Sequence, residues 1–143
     1  LLPVRNTCDG EGVSPPLTFS GVPTATKSLV VIMDTIPGPP RPGETESGNH
    51  FYLVLYNLPP TTKIIPAGST GIGTLGQNFQ GRKLGYTPPC SQGVGMKQYD
   101  ISAYALSGSL DLTQEKATGT EILKAMDGKI LVSSKLKAFY ERR

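Results

Sequence analysis

Thr26-Lys27-Ser28-Leu29-Val30-Val31-Ile32-Met33 is the stretch whose reading decides the fold. Leu29 to Met33 are apolar without a break, and Val30, Val31 and Ile32 are β-branched. A run this short, without polar alternation, reads as a strand covered on both faces. Asp34 ends it. Pro37-Gly38-Pro39-Pro40-Arg41-Pro42-Gly43 follows, which is neither helix nor ladder strand because proline has no N–H to donate. Residues 35–49 are therefore expected to form one long surface loop. Beyond it, Phe51 to Leu58 (FYLVLYNL) reads as a second buried strand, closed by Pro59-Pro60. On the other side, Pro3, Gly10, Gly12, Pro15 and Pro16 make residues 1–16 extended and loop-like.

Further along, residues 61–95 carry many glycines and little periodicity, which predicts short strands and turns. Gln98 to Leu106 alternates, with Tyr99, Ile101, Ala103 and Ala105 on one face and Asp100 and Ser102 on the other, as in a half-buried strand. A helix is expected next. Thr118 and Glu121 have capping-box spacing, Ile122, Leu123 and Met126 form an apolar stripe, and Gly128 stands where a C-terminal cap belongs. Ile130 to Tyr140 returns to strand spacing. The sum is a mainly β, antiparallel protein with one or two short C-terminal helices.

With 143 residues, the chain suits a single domain over 1–143. Hydrophobic residues make up 37% and charged residues 17%, which excludes a disordered polyelectrolyte. The 17 glycines and 13 prolines are clustered without a period, which excludes collagen. No apolar run reaches the ~20 residues a membrane-spanning helix needs. A net charge of +3 does not imply nucleic-acid binding, since the one tight basic group is Arg142-Arg143, read as a solvated tail. The chain opens at Leu1 with no basic-then-apolar leader, so a mature or trimmed form is expected. Its compartment is left open, cytoplasmic or exported with the signal removed.

Several motifs are weighed and set aside. Gly71-Ile72-Gly73-Thr74-Leu75-Gly76 fits G-x-G-x-x-G, but Gln77-Asn78-Phe79-Gln80-Gly81 after it has no helical stripe to present a helix N-terminus to a pyrophosphate. Gly68-Ser69-Thr70-Gly71-Ile72-Gly73 lacks a P-loop lysine. Ala67-Gly68-Ser69-Thr70-Gly71 nearly matches a nucleophile elbow, but the sole histidine, His50, precedes the serine instead of following it. The acidic residues have no calcium-loop spacing. Cys8 and Cys90 form neither zinc spacing nor a CxxC motif; they pair, are free, or are unrelated. No metal or other cofactor is expected.

His50 stands at the mouth of one buried strand and Asp34 at the exit of the other. If those strands are neighbours, a carboxylate and an imidazole meet at one sheet edge, and the aspartate orients an imidazole N–H toward an anion. The plainer reading is a strand-end histidine and a turn aspartate that cap backbone.

The order of segments resembles the phosphatidylethanolamine-binding protein family, in particular its bacterial branch. Cys8-Asp9-Gly10, Ser14-Pro15-Pro16-Leu17, Gly21-Val22-Pro23 and Thr26-Lys27-Ser28-Leu29 are similar to its opening. Asp34 stands where its Asp-Pro-Asp-Ala-Pro box begins. His50-Phe51 with Tyr56-Asn57-Leu58-Pro59 resembles its His-Trp strand, and Gly85-Tyr86 with Pro89-Cys90 its Tyr-x-Gly-Pro-Cys segment. Tyr99, Tyr104-Ala105-Leu106, Ala125-Met126-x-Gly128 and Tyr140-x-Arg142 complete the series over nearly the whole chain. The resemblance implies two antiparallel sheets with a C-terminal helix. It also implies a small pocket for phosphate or a phospholipid head group, held here by Asp34, His50, Pro89 and Tyr99. Both cysteines lie in segments that the family places near that pocket; a disulfide between them implies an oxidising compartment.

Four departures bear on that pocket. Thr35-Ile36-Pro37 lacks the second aspartate of the box, Phe51 replaces the tryptophan, Pro88 replaces a glycine and offers no N–H, and Lys97 occupies the place of a second histidine. Lys97 supplies three donors and a fixed charge, for a phosphate or for Asp34 as an internal pair. The expected function is non-catalytic binding of a small anionic ligand such as phosphate or phosphoethanolamine by Asp34, His50, Pro89, Lys97 and Tyr99. The alternative is a protein-interaction or protease- or kinase-inhibitor module that uses residues 37–43, with a vestigial pocket. No nucleic acid is expected as a partner. An enzyme is not expected either, because no nucleophile, oxyanion donors or metal set accompanies the histidine.

Overall fold

A computed structural model describes residues 1–35, 50–68, 72–78, 85–90, 96–114 and 116–141. After a short 3-10 turn at Val4–Asn6, the chain forms β1 (Leu17–Thr18), β2 (Ser28–Thr35), β3 (His50–Leu58), β4 (Ile64–Ile65), β5 (Thr74–Leu75) and β6 (Lys97–Leu106). Helix α1 (Gly119–Ala125) and the long strand β7 (Ile130–Tyr140) complete it. Two antiparallel sheets result, a two-stranded β1-β4 pair and a five-stranded sheet in the order β5-β3-β2-β6-β7. The expected mainly β fold with two antiparallel sheets and a short C-terminal helix is therefore present, with one α-helix among the described residues. Residues 36–49, including the proline-rich stretch 37–43, lie outside the described residues, as do Ser69, Thr70, Gly71, Arg142 and Arg143.

The unbroken apolar run of β2 follows from its place between β3 and β6, the middle of the sheet. Leu29, Val31 and Met33 enter one core cluster, with Leu53, Leu55, Tyr99 and Ile101. Val30 and Ile32 enter a second on the opposite face, with Phe51, Val54, Ile122 and Met126. Alternation therefore buries both sides of the strand. Each fully buried Val, Leu or Ile stabilises the fold by about 1.5–3 kcal/mol, so the five-residue run fixes the register strongly.

Helix α1 covers the second cluster. The Thr118 hydroxyl accepts from the Glu121 N–H at 3.2 Å, which is half of the expected capping box. The other half is absent: the Thr118 N–H donates to the Lys116 carbonyl, and Glu121 faces Lys124 at 3.8 Å. Gly119 is required by contact, because a Cβ there would lie 2.3 Å from the Phe51 ring.

The strand alternation expected for β6 is modified by this second layer. Ser102 is buried and Asp100 half-buried, on the side of the sheet that carries the second cluster. The G-x-G-x-x-G pattern also resolves structurally. Gly73 adopts a positive φ of 69° beneath Leu58 and leads into strand β5, not into a helix.

Two irregularities shape β3. Between Leu29↔Leu58 and Val31↔Leu55 the strand gains one residue, and Asn57 there takes φ 53°. Its amide is held from both sides: Nδ2 donates to the Leu110 carbonyl and Oδ1 accepts from the Leu110 N–H, each at 2.8 Å. Between Met33↔Leu53 and Asp34↔Phe51 a second extra residue is Tyr52. This bulge sends Tyr52 and Leu53 into the same cluster while Phe51 joins the other.

Candidate functional site

The ends of β2, β3 and β6 meet at one end of the sheet. Thr35 pairs with His50 and Asp34 with Phe51 on one side, while Asp34 pairs with Asp100 on the other. The Thr35 hydroxyl donates to the Gln98 carbonyl at 2.6 Å and ties β2 to β6 there. The backbone thus brings Asp34, His50, Lys97 and Tyr99 to one place.

The side chains divide between the two faces. Alternation past Met33 assigns Thr35 and its partner His50 to the face of Tyr52 and Tyr99. It assigns Asp34, with its partners Phe51 and Asp100, to the face toward α1. The β2 and β3 strands are neighbours, as the carboxylate–imidazole reading requires, but Asp34 and His50 occupy successive rows on opposite faces. Lys97, two residues before Tyr99, shares the His50 face; it is exposed and lies across from Tyr140. Among the described residues no ion pair joins Lys97 to Asp34, so the internal pair is not made.

The face of the sheet that carries His50 also carries tyrosines: Tyr52 and Tyr99 are buried in the first cluster, and Tyr86 packs against it. Tyr52 and Tyr99 meet edge to face, with ring centroids 5.2 Å apart and planes at 82°. Burial is the main cause that raises both phenols above their ordinary pKa, and their mutual proximity adds to it for Tyr52. The Tyr86 phenol is raised by burial and by Tyr99 and Tyr52. These hydroxyls stay protonated throughout the neutral range. Sequence reasoning singled out Tyr99 alone. Tyr52 appears on the site face because of the β3 bulge, which leaves no local signature in the sequence.

The 85–90 segment packs on the same cluster through Tyr86, and the N-terminal arm clamps it. Cys8 and Cys90 form a disulfide with Cα atoms 5.3 Å apart, which resolves the alternatives left open for them. The Cys8 N–H donates to the Pro89 carbonyl at 3.1 Å, the Tyr86 hydroxyl to the Asn6 carbonyl at 2.6 Å, and the Tyr140 hydroxyl to the Asp9 carboxylate. On the sheet side the Thr87 N–H donates to the Tyr52 carbonyl at 2.8 Å. Pro89 is buried in this layer. Among the described residues no three His, Cys, Asp or Glu side chains are grouped as metal ligands.

The architecture defines a class: a β protein of two antiparallel sheets whose N-terminal arm is tied by a disulfide to the 85–90 segment. The family model for phosphatidylethanolamine-binding protein matches residues 1–141, and the chain belongs to that family. A UPF0098 protein of Chlamydia trachomatis is 36% identical over 141 residues, covering 99% of this chain and 91% of the relative. One from Methanothermobacter thermautotrophicus is 37% identical over 147 residues with the same coverage. Among solved structures, the phosphatidylethanolamine-binding protein homologue CT736 of Chlamydia trachomatis superposes with a TM-score of 0.88 at 35% identity, over 99% of this chain and 90% of that one. Escherichia coli YbcL, described as a member of the mammalian family, gives 0.78 at 21% identity over 95% and 84%, a likeness of fold.

Proposed function

We propose that this chain binds a small anionic, phosphate-bearing group without catalysis at the end of β2, β3 and β6. His50 and Lys97 supply charge-assisted donors from one face of the sheet. The protonated Tyr99 beneath them lends a phenol, and buried Pro89 shapes the wall. Asp34, on the other face, acts as a charge behind the strand end and does not contact the ligand. The observation that carries this reading is the common face of His50, Lys97 and Tyr99, set by the β2–β3 and β2–β6 registers. Phosphate oxygens are acceptors, and this face offers donors. Membership of a family named for phosphatidylethanolamine binding supports the phosphate-bearing class. The interaction-module alternative rests on 37–43, outside the described residues, and gains no support from geometry.

Calorimetric titration tests the proposal with inorganic phosphate, phosphoethanolamine and vesicles containing phosphatidylethanolamine, which separate a free phosphate from a lipid head group. His50→Ala is expected to weaken phosphate binding about tenfold, since a hydrogen bond to a charged group contributes roughly 1.5–3 kcal/mol. Lys97→Ala, at an exposed position, is expected to weaken it less and to flatten its salt dependence, because a screened charge is removed. Wild type, His50→Ala and Lys97→Ala behaving identically removes this face from any account of binding.

A further inference from the structure

Strand β7 ends the five-stranded sheet, and among the described residues no strand pairs with its outer edge. At its C-terminal end the Leu2 N–H donates to the Phe139 carbonyl at 2.7 Å, so the Phe139 backbone groups point outward. Gln98, its partner on β6, confirms the parity, because the Gln98 carbonyl turns the other way to accept from Thr35. In an antiparallel ladder this orientation alternates. Lys137, Lys135 and Ser133 therefore also present their N–H and C=O groups outward, in an unbroken register from Val132 to Tyr140.

The two faces of this edge differ. On one, Val132 and Leu136 are 48% and 59% exposed, and Val132 borders an apolar groove lined by Phe19, Val22, Pro23 and Leu29. On the other stand Lys135 and Lys137. Lys135 reaches Asp100 at 3.7 Å, and Lys137 makes no ion pair among the described residues. The segment Lys129–Tyr140 carries Lys129, Lys135 and Lys137 and no acidic residue.

We propose that the β7 edge docks an extended, acidic and amphipathic segment of another protein, which adds to the sheet as a further strand. Its backbone would complete the outward ladder at Ser133, Lys135 and Lys137. Its apolar side chains would lie along Val132 and Leu136 toward the groove, and its carboxylates would face the two lysines. Charge decides between this occupant and a second copy of the chain. Antiparallel self-pairing gathers Lys135 and Lys137 of both copies on one face, and like charges across a strand pair are destabilising. The same lysines that discourage self-association select an acidic strand.

The test uses short peptides of alternating valine and glutamate, with valine–lysine counterparts. Saturation with the glutamate peptide is expected to slow hydrogen exchange of the Ser133, Lys135 and Lys137 amides. The double variant Lys135→Glu/Lys137→Glu should weaken that peptide about tenfold, from two reversed cross-strand pairs, and gain affinity for the lysine peptide. Peptide N-methylation on the ladder-facing amides should abolish binding, and on the alternate amides should leave it intact, with the protein unaltered. No slowing of exchange, indifference to charge reversal or to the methylated register, or β7 amides already protected by self-association would each overturn the proposal.

Discussion

Replacing Cys8 and Cys90 with serine gives the largest stability change that the structure allows to be worked out. The bridge spans a sequence separation of 82 residues. For a closed loop of that length the chain-entropy relation gives about 4–5 kcal/mol of stabilisation, through restriction of the unfolded chain. On the native side, the Cys8–Pro89, Tyr86–Asn6 and Tyr140–Asp9 hydrogen bonds do not need the sulfurs, so the arm should stay docked without them. A residually compact unfolded chain lowers the net effect toward ~3 kcal/mol. Guanidinium unfolding of the double variant should therefore show a lower midpoint. Its slope should be steeper, because the unlinked chain expands further on unfolding. For a chain of this size the loss corresponds to a fall in Tm of roughly 10–15 °C. Phosphate affinity, measured well below that temperature, should change little. A loss under ~1 kcal/mol with an unchanged slope would refute the claim that this bridge constrains the unfolded chain.

Asn57→Ala removes both hydrogen bonds to Leu110 and leaves alanine at φ 53°, so a loss of about 3 kcal/mol is expected in chemical denaturation. Retained stability would mean that the 107–113 segment is held elsewhere. Gly119→Ala places a Cβ 2.3 Å from the Phe51 ring and should cost about 1–3 kcal/mol, although alanine is the better helix former. Gly108→Ala, where nothing lies within 4 Å, is the control and should be neutral. Raised phenol pKa values mean that the folded chain keeps protons that the unfolded chain releases above about pH 10, so stability should fall as the pH rises past that point. Ultraviolet titration should find Tyr52, Tyr56, Tyr86 and Tyr99 ionising later in the native protein than in urea. Coincident curves would contradict their burial.

The strands with strong burial patterns were legible in the sequence. Residues 26–33 and 51–58 predicted β2 and β3 to within two residues, because a central strand must be apolar on both faces and few other structures need that. Thr118 and Glu121 located α1 for a similar reason, since a cap has chemistry of its own. The short strands β1, β4 and β5 were not placed. Each is two residues long and exists through its partner, so no local pattern marks it. The burial of Ser102 was also invisible. Ser102 faces the side of the sheet that carries the second core cluster, and a period-2 pattern reports polarity, not what covers a face.

The site shows a sharper limit. Sequence order sufficed to expect that Asp34 and His50 come from adjacent strand ends, and the pairing agrees. What sequence order lacks is the phase of each strand. The extra residue at Tyr52 shifts β3 by one position relative to β2, and in a strand one position is the difference between two faces. The chemistry changes with it. An imidazole beside a carboxylate is a proton-transfer pair, since the carboxylate fixes the tautomer and holds the charge that develops. An imidazole on the other face shares its side of the sheet with protonated phenols instead. Such a surface suits an anion that is held and released unchanged. This phase argument, more than the residue types themselves, supports the proposed binding role. It makes a direct comparison possible: Asp34→Asn should alter phosphate affinity far less than His50→Ala, and an equal loss from both would return the carboxylate to the pocket.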